Sequence, residues 1–126
     1  MEFLKGKTLV YIEVNDWGVD LITDEGDVYD LSGEEGPPND CHIWVESVVG
    51  DINDLLHTPL LMAEESSSVD GVTWTFYKFA TIKGYVDIRF CGESNGYYCE
   101  KARIFHFGKV SEQQLKELKT NKEHKN

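Results

Sequence analysis

The segment from Val72 to Phe107 reads VTWTFYKFATIKGYVDIRFCGESNGYYCEKARIFHF, alternating β-branched or aromatic residues with polar ones. Only Lys83-Gly84 and Gly92-Glu93-Ser94-Asn95-Gly96 interrupt it. A period of two is the signature of strands with one buried and one open face, and the interruptions are turn-forming, so the segment predicts three antiparallel strands. With Lys83-Gly84 as a two-residue turn, Ile82 opposes Tyr85, Ala80 opposes Asp87, Lys78 opposes Arg89 and Phe76 opposes Cys91. Thr75, Tyr77, Phe79, Thr81, Val86, Ile88 and Phe90 then share a core face. The other face carries Trp74, Phe76, Lys78, Asp87 and Arg89. With Gly92–Gly96 as a five-residue loop, Cys91 meets Tyr97 and Tyr85 meets Arg103, and the mixed face gains Tyr97, Lys101 and Arg103.

Lys78 directly opposite Arg89 is destabilising unless a negative group lies between them, either Asp87 or a bound anion. The alternative is a solvated face whose basic stems cover the sheet with their heads in water. Lys-Gly is a weaker hairpin signal than Asn-Gly or Asp-Gly, and a slip of one residue would exchange the two faces.

The remaining chain supplies shorter elements. Thr8–Val14 and Gly18–Thr23 are expected strands around an Asn15–Gly18 hairpin connection, and Asp24–Asp27 turns into a strand from Val28 to Leu31. Ser32–Asp40 is a polar, glycine- and proline-rich loop. His42–Val49 is strand-like, with Ile43, Val45 and Trp44 as core candidates. Asp51 caps a short helix through Leu56 that Thr58-Pro59 ends. Leu60–Ala63 is a brief strand, and Glu64–Ser68 connects it to the three-stranded unit. Ser111 with Gln114 forms a capping box and Val110 with Leu115 a hydrophobic staple, opening a helix over 110–119 before a frayed tail at 120–126. The fold class expected is α+β, predominantly antiparallel β-sheet with a short central helix and a C-terminal helix. All of it forms one domain: an acidic half at 1–70, the aromatic and basic unit at 71–107, and the terminal helix.

Charge separates those parts. Glu13 to Asp70 contains sixteen Asp or Glu and no Lys or Arg, whereas Gly71 to Lys109 has six Lys or Arg against three acids. A net charge of −11 opposes binding to duplex nucleic acid or an anionic membrane, which need a dense basic footprint. A small anion held locally remains compatible with it. No apolar run reaches the roughly 20 residues that span a bilayer, and the first residues lack an apolar signal core, so a cytoplasmic location is expected.

No hydrolase, zinc-protease, phosphate-loop or dinucleotide fingerprint is present. Cys41-His42 with Cys91, Cys99 or His106 lacks the close ligand pairs of structural zinc sites, and Asp24–Asp27 lacks a calcium loop's ligand pattern. No metal, cofactor or enzymatic activity is expected. In Gly92–Tyr98, glycines allow close backbone approach, Ser94 and Asn95 offer donors and acceptors, and tyrosines follow. Such a loop can recognise a flat ligand stacked on Trp74, Phe76 or Tyr97, or it can be a hairpin loop whose Asn and Gly serve conformation alone.

The stretches GDINDLLHTPLLMAEE, WTFYKFATIKGYVDIRF and GESNGYY resemble a widespread family of short phage and prophage proteins catalogued as a domain of unknown function, over about residues 4 to 107. Size, β architecture and a C-terminal helix are also similar to the anti-Thoeris sponge proteins of phages, which sequester a cyclic ADP-ribose-type immune signal without cleaving it. The resemblance implies a homodimer or higher assembly and places Phe76, Arg89 and Asn95 against a nucleotide. With the mixed sheet face, the ligand-binding residues expected are Trp74, Phe76, Lys78, Arg89, Asn95, Tyr97 and Arg103. The rival expectation is an inhibitor whose acidic half imitates nucleic acid and blocks a basic host protein.

Overall fold

The structure, a computed structural model, describes residues 1–33, 41–94 and 101–120. In chain order the strands are β1 (Leu9–Val14), β2 (Gly18–Thr23), β3 (Asp27–Ser32), β4 (Cys41–Val49), β5 (Met62–Asp70), β6 (Val72–Thr81), β7 (Gly84–Ser94) and β8 (Arg103–Lys109), followed by helix α1 (Glu112–Thr120). They form two antiparallel four-stranded sheets, ordered β1-β2-β3-β8 and β4-β7-β6-β5. The predominantly antiparallel α+β fold expected from the sequence is the one observed. No helix among the described residues is long and apolar enough to cross a membrane.

Both sheets contribute to one core. Leu9, Ile12, Val19, Leu21 and Leu31 from the first sheet meet Ile43, Ala63, Tyr77, Phe79, Val86, Ile88 and Phe90 from the second. Tyr77 and Phe90 pack edge to face at 5.7 Å, the arrangement their ring quadrupoles favour. Every residue assigned to the core face of β6 and β7 is buried, Thr75 and Thr81 included.

The β6–β7 register differs from expectation by two residues. The turn is Ile82-Lys83, with Thr81 opposite Gly84, Lys78 opposite Asp87 and Phe76 opposite Arg89. A shift of two preserves which face each side chain occupies, so the core assignment survives. The shift also removes the Lys78–Arg89 clash, because Lys78 now lies between Asp87 on β7 and Glu64 on β5.

Three expectations are corrected. First, β7 has no partner in the 103–107 strand: its second edge is taken by β4, and β8 pairs with β3 in the other sheet. Where the described chain resumes, Lys101 pairs with Glu65 at 3.1 Å and the Ala102 N–H donates to Thr75 Oγ1 at 3.0 Å, and β8 then runs on the opposite sheet. Second, Glu64–Ser68 is no connector. It belongs to the nine-residue edge strand β5, paired with β6 along its length, since backbone ladder bonds need no apolar side chain. Third, Trp44 lies on the outer face beside Cys91, while Ile43 points inward.

Several local expectations hold. Asn15 Oδ1 accepts from the N–H groups of Trp17 and Gly18 at 2.9 and 3.0 Å, closing the β1–β2 turn. Asp51 caps a single 3-10 turn, Ile52–Leu55, accepting from the Asn53 N–H at 2.9 Å. Ser111 Oγ accepts from the Gln114 N–H at 3.1 Å, and Leu115 and Leu118 are the half-buried residues of α1. Of the loop expected over 32–40, Ser32 ends β3, and of the tail expected over 120–126, Thr120 ends α1; residues 34–40 and 121–126 lie outside the described residues.

Candidate functional site

The outer face of the β4-β7-β6-β5 sheet is built in cross-strand rows. One row runs Trp44, Cys91, Trp74, Ser68; the next Ser47, Arg89, Phe76, Ser66; the third Val49, Asp87, Lys78, Glu64. Between the second and third rows lies a groove of about 270 Å³, lined by Ser47, Val49, Phe76, Lys78, Asp87 and Arg89. Period-two alternation puts these side chains on one face, and the pairing of β4, β6 and β7 brings them together.

Arg89 is held in the groove by two neighbours, Glu46 and Trp74. β4 carries a bulge between Val45 and Ser47, so Glu46 is an extra residue with no partner on β7, and its carboxylate reaches the guanidinium. Arg89 Nε donates to Glu46 Oε1 at 2.7 Å and Nη2 lies 2.5 Å from the same oxygen. The guanidinium also sits 5.0 Å from the Trp74 ring centre. Among the described residues, Glu46 engages two of the five guanidinium donors.

Lys78 is exposed, and no carboxylate lies within ion-pairing distance of it among the described residues. Asp87 is half-buried, and its Oδ1 is shielded from water without a hydrogen-bond partner among the described residues. Phe76 offers a half-buried ring in the neighbouring row, opposite Arg89. Cys91, packed between Trp44 and Trp74, is a free thiol; burial first, then Glu93 and Glu46, push its pKa up and away from the reactive thiolate.

The structure therefore gathers Trp74, Phe76, Lys78 and Arg89. It does not gather Arg103, which stands on β8 opposite Ser32 in the other sheet. Asn95 and Tyr97 lie outside the described residues. Glu46, Ser47 and Val49 were missed because they belong to β4, and only tertiary pairing shows that strand to lie beside β7. Asp87 was visible on the mixed face, but its unmet oxygen was not.

The other sheet has a contrasting outer row: Glu13, Asp20, Asp30 and Phe105. Asp20 is pushed up to about 6, chiefly by a hydrogen bond shared with Asp30, then by burial and by repulsion from Asp30 and Glu13. A second hollow of about 440 Å³ lies near it, lined by Asn15, Trp17, Gly18, Asp30, Ser32, Gly33 and Ile43, and none of the expected binding residues reaches it. No group of three or more His, Cys, Asp or Glu able to hold a metal occurs among the described residues.

The family model described as Domain of unknown function (DUF7448) matches residues 2–104. The chain belongs to this family. The match spans both sheets, from the first 3-10 turn at Glu2–Leu4 to the beginning of β8, and so includes every described residue of the groove. Searches of curated proteins and of solved structures find no match.

Proposed function

We propose that this protein is a non-enzymatic binding protein of phage origin that sequesters a small nucleotide immune signal of the cyclic ADP-ribose type in the host bacterial cytoplasm, countering anti-phage defence. The observation that carries this reading is the convergence of Phe76, Lys78 and Arg89 on one groove, with Trp74 under the Arg89 guanidinium beside it, in an otherwise acidic chain. A ring stacks on Phe76, and a phosphate meets Lys78 and the remaining donors of Arg89. The net charge of −11 slows an anion's approach at long range; within a Debye length of about 8 Å direct contact with Lys78 and Arg89 is set against the neighbouring carboxylates Glu46, Asp87 and Glu64.

The groove's 270 Å³ falls just below the roughly 300–1,000 Å³ of small-molecule sites. It accommodates one ring with its phosphate, and the rest of a larger signal lies over the exposed face or against a second copy. This size argument supports a homodimer or higher assembly.

The test is to incubate the protein with cyclic ADP-ribose, denature it and assay what is released. Intact recovery supports sequestration, and an altered product makes the protein an enzyme. The acidic row Glu13–Asp20–Asp30 favours a second reading, an acidic inhibitor that imitates nucleic acid. Salt-sensitive co-purification of a basic host protein, with no nucleotide bound, would establish that reading instead.

A further inference from the structure

We infer that Asp87 makes this groove selective for nucleobases carrying an exocyclic amino group, with the base stacked on Phe76 and its phosphate held by Lys78. The inference rests on the nucleotide reading above and adds the part of the ligand that is recognised.

The groove presents three unlike polar groups. Arg89 gives two donors to Glu46 and lies over the Trp74 face, with its remaining donors on the phosphate side. Lys78 is a cation with no carboxylate in ion-pairing range among the described residues. Asp87 holds an oxygen cut off from water that accepts no hydrogen bond among the described residues. Leaving an acceptor buried and unmet is costly, and the cost is recovered when a donor arrives.

Position says where that donor must lie. Phe76 faces Arg89 directly, so Asp87, two residues along β7, is its diagonal neighbour. Diagonal neighbours on an antiparallel pair are about 7–8 Å apart, the distance from the middle of a stacked ring to a group accepting from its edge. Asp87 itself lines the groove, so a donor seated at that edge meets its carboxylate.

Chemistry then narrows the donor. A ligand ammonium or guanidinium would satisfy Asp87 but would sit against Lys78, its direct cross-strand partner, and beside Arg89. A neutral amino group satisfies the carboxylate without that repulsion. Adenine carries such a group, whereas hypoxanthine presents a carbonyl oxygen at the same place, acceptor against acceptor, and its ring N1–H donor lies displaced along the edge from that place. Sites built around a polar group reject analogues that leave it unpaired more strongly than apolar pockets reject a change of size.

The experiment is calorimetric titration of AMP and of IMP into the wild-type protein and Asp87→Asn. AMP is expected to bind wild type about ten- to a hundredfold more tightly than IMP, the range for a hydrogen bond to a charged group. In Asp87→Asn the preference is expected to collapse or reverse, because the amide can turn its Nδ2 toward the hypoxanthine oxygen. That variant is also expected to melt no lower than wild type, since it removes a shielded charge with an unmet oxygen. Equal wild-type affinities for AMP and IMP overturn the inference and leave the nucleotide reading standing. Binding of cyclic ADP-ribose alone, with neither monophosphate bound, does the same. Failure of all three to bind overturns both.

Discussion

Glu46 Oε1 takes two donors from Arg89, Nε at 2.7 Å and Nη2 at 2.5 Å, and it does so from a bulge in the neighbouring strand. The pair is about two-fifths exposed on the arginine side. In that setting it contributes no more than about 1 kcal/mol to stability, so its consequence is orientation of the guanidinium rather than cohesion of the fold.

Arg89→Ala is accordingly expected to abolish nucleotide binding while the fold persists. Calorimetry reads the first part, and a urea midpoint displaced by no more than about 1 kcal/mol reads the second. Undiminished affinity would remove Arg89 from the site.

Tyr77 has no solvent exposure, and its hydroxyl donates to Glu65 Oε2 at 2.9 Å, while the other oxygen of Glu65 accepts from Lys101. Tyr77→Phe strands one carboxylate oxygen and is expected to cost about 1–2 kcal/mol in chemical denaturation. Burial first, then the charge of Glu65, raise the Tyr77 pKa above its usual 10. A raised native pKa means the native state holds this proton more tightly than the unfolded chain. The contribution is therefore complete below pH 10 and is lost as pH rises above it. Absorbance titration should find one tyrosine that ionises only as the protein unfolds.

Asp20 and Asp30 oppose one another on β2 and β3, and Asp20 titrates at about 6 instead of 3.8. The native state again binds the proton more tightly, so stability from this pair is complete below about pH 4 and is lost as pH rises through about 6. Asp20→Asn removes the repulsion. After allowance for solvent screening, we expect it to stabilise the protein by about 1 kcal/mol at pH 7 and by much less at pH 4, measured by urea midpoints at both.

Gly50 joins β4 to the 3-10 turn with φ +105°, and a Cβ there would collide with the Tyr85 carbonyl oxygen. Gly50→Ala thus faces both a left-handed backbone and a steric block. A loss of about 2–3 kcal/mol is expected in thermal or urea unfolding. An unchanged midpoint would mean that β4 and β7 can separate at that end without loss.

How far the sequence reached depends on the range of each interaction. Alternation along 72–90 was enough to sort Tyr77, Phe79, Val86, Ile88 and Phe90 inward and Trp74, Phe76, Lys78 and Arg89 outward, because side-chain direction repeats every two residues whatever the strand pairs with. The sorting survived a two-residue error in register for the same reason. The caps at Asp51 and Ser111 and the Asn15 turn were legible too, since each is closed by atoms two or three residues apart.

Neighbourhood was not legible. Ladder bonds between backbones are nearly blind to side-chain identity, so nothing local in β7 announces that β4 lies along its second edge or that β8 crosses to the other sheet. That choice was made by shared burial: Ile43 turns inward with Phe90 and Ile88, while β8 lies along β3 with Ile104 packed on the core opposite Leu31. It placed Glu46 against Arg89, removed Arg103 from the groove, and set Lys78 opposite Asp87. The sequence by itself determined which faces are apolar and which mix rings with charge. Only the tertiary structure decided which charges meet across them, because pairing between distant strands is settled by the core they bury together and not by the pattern within either one.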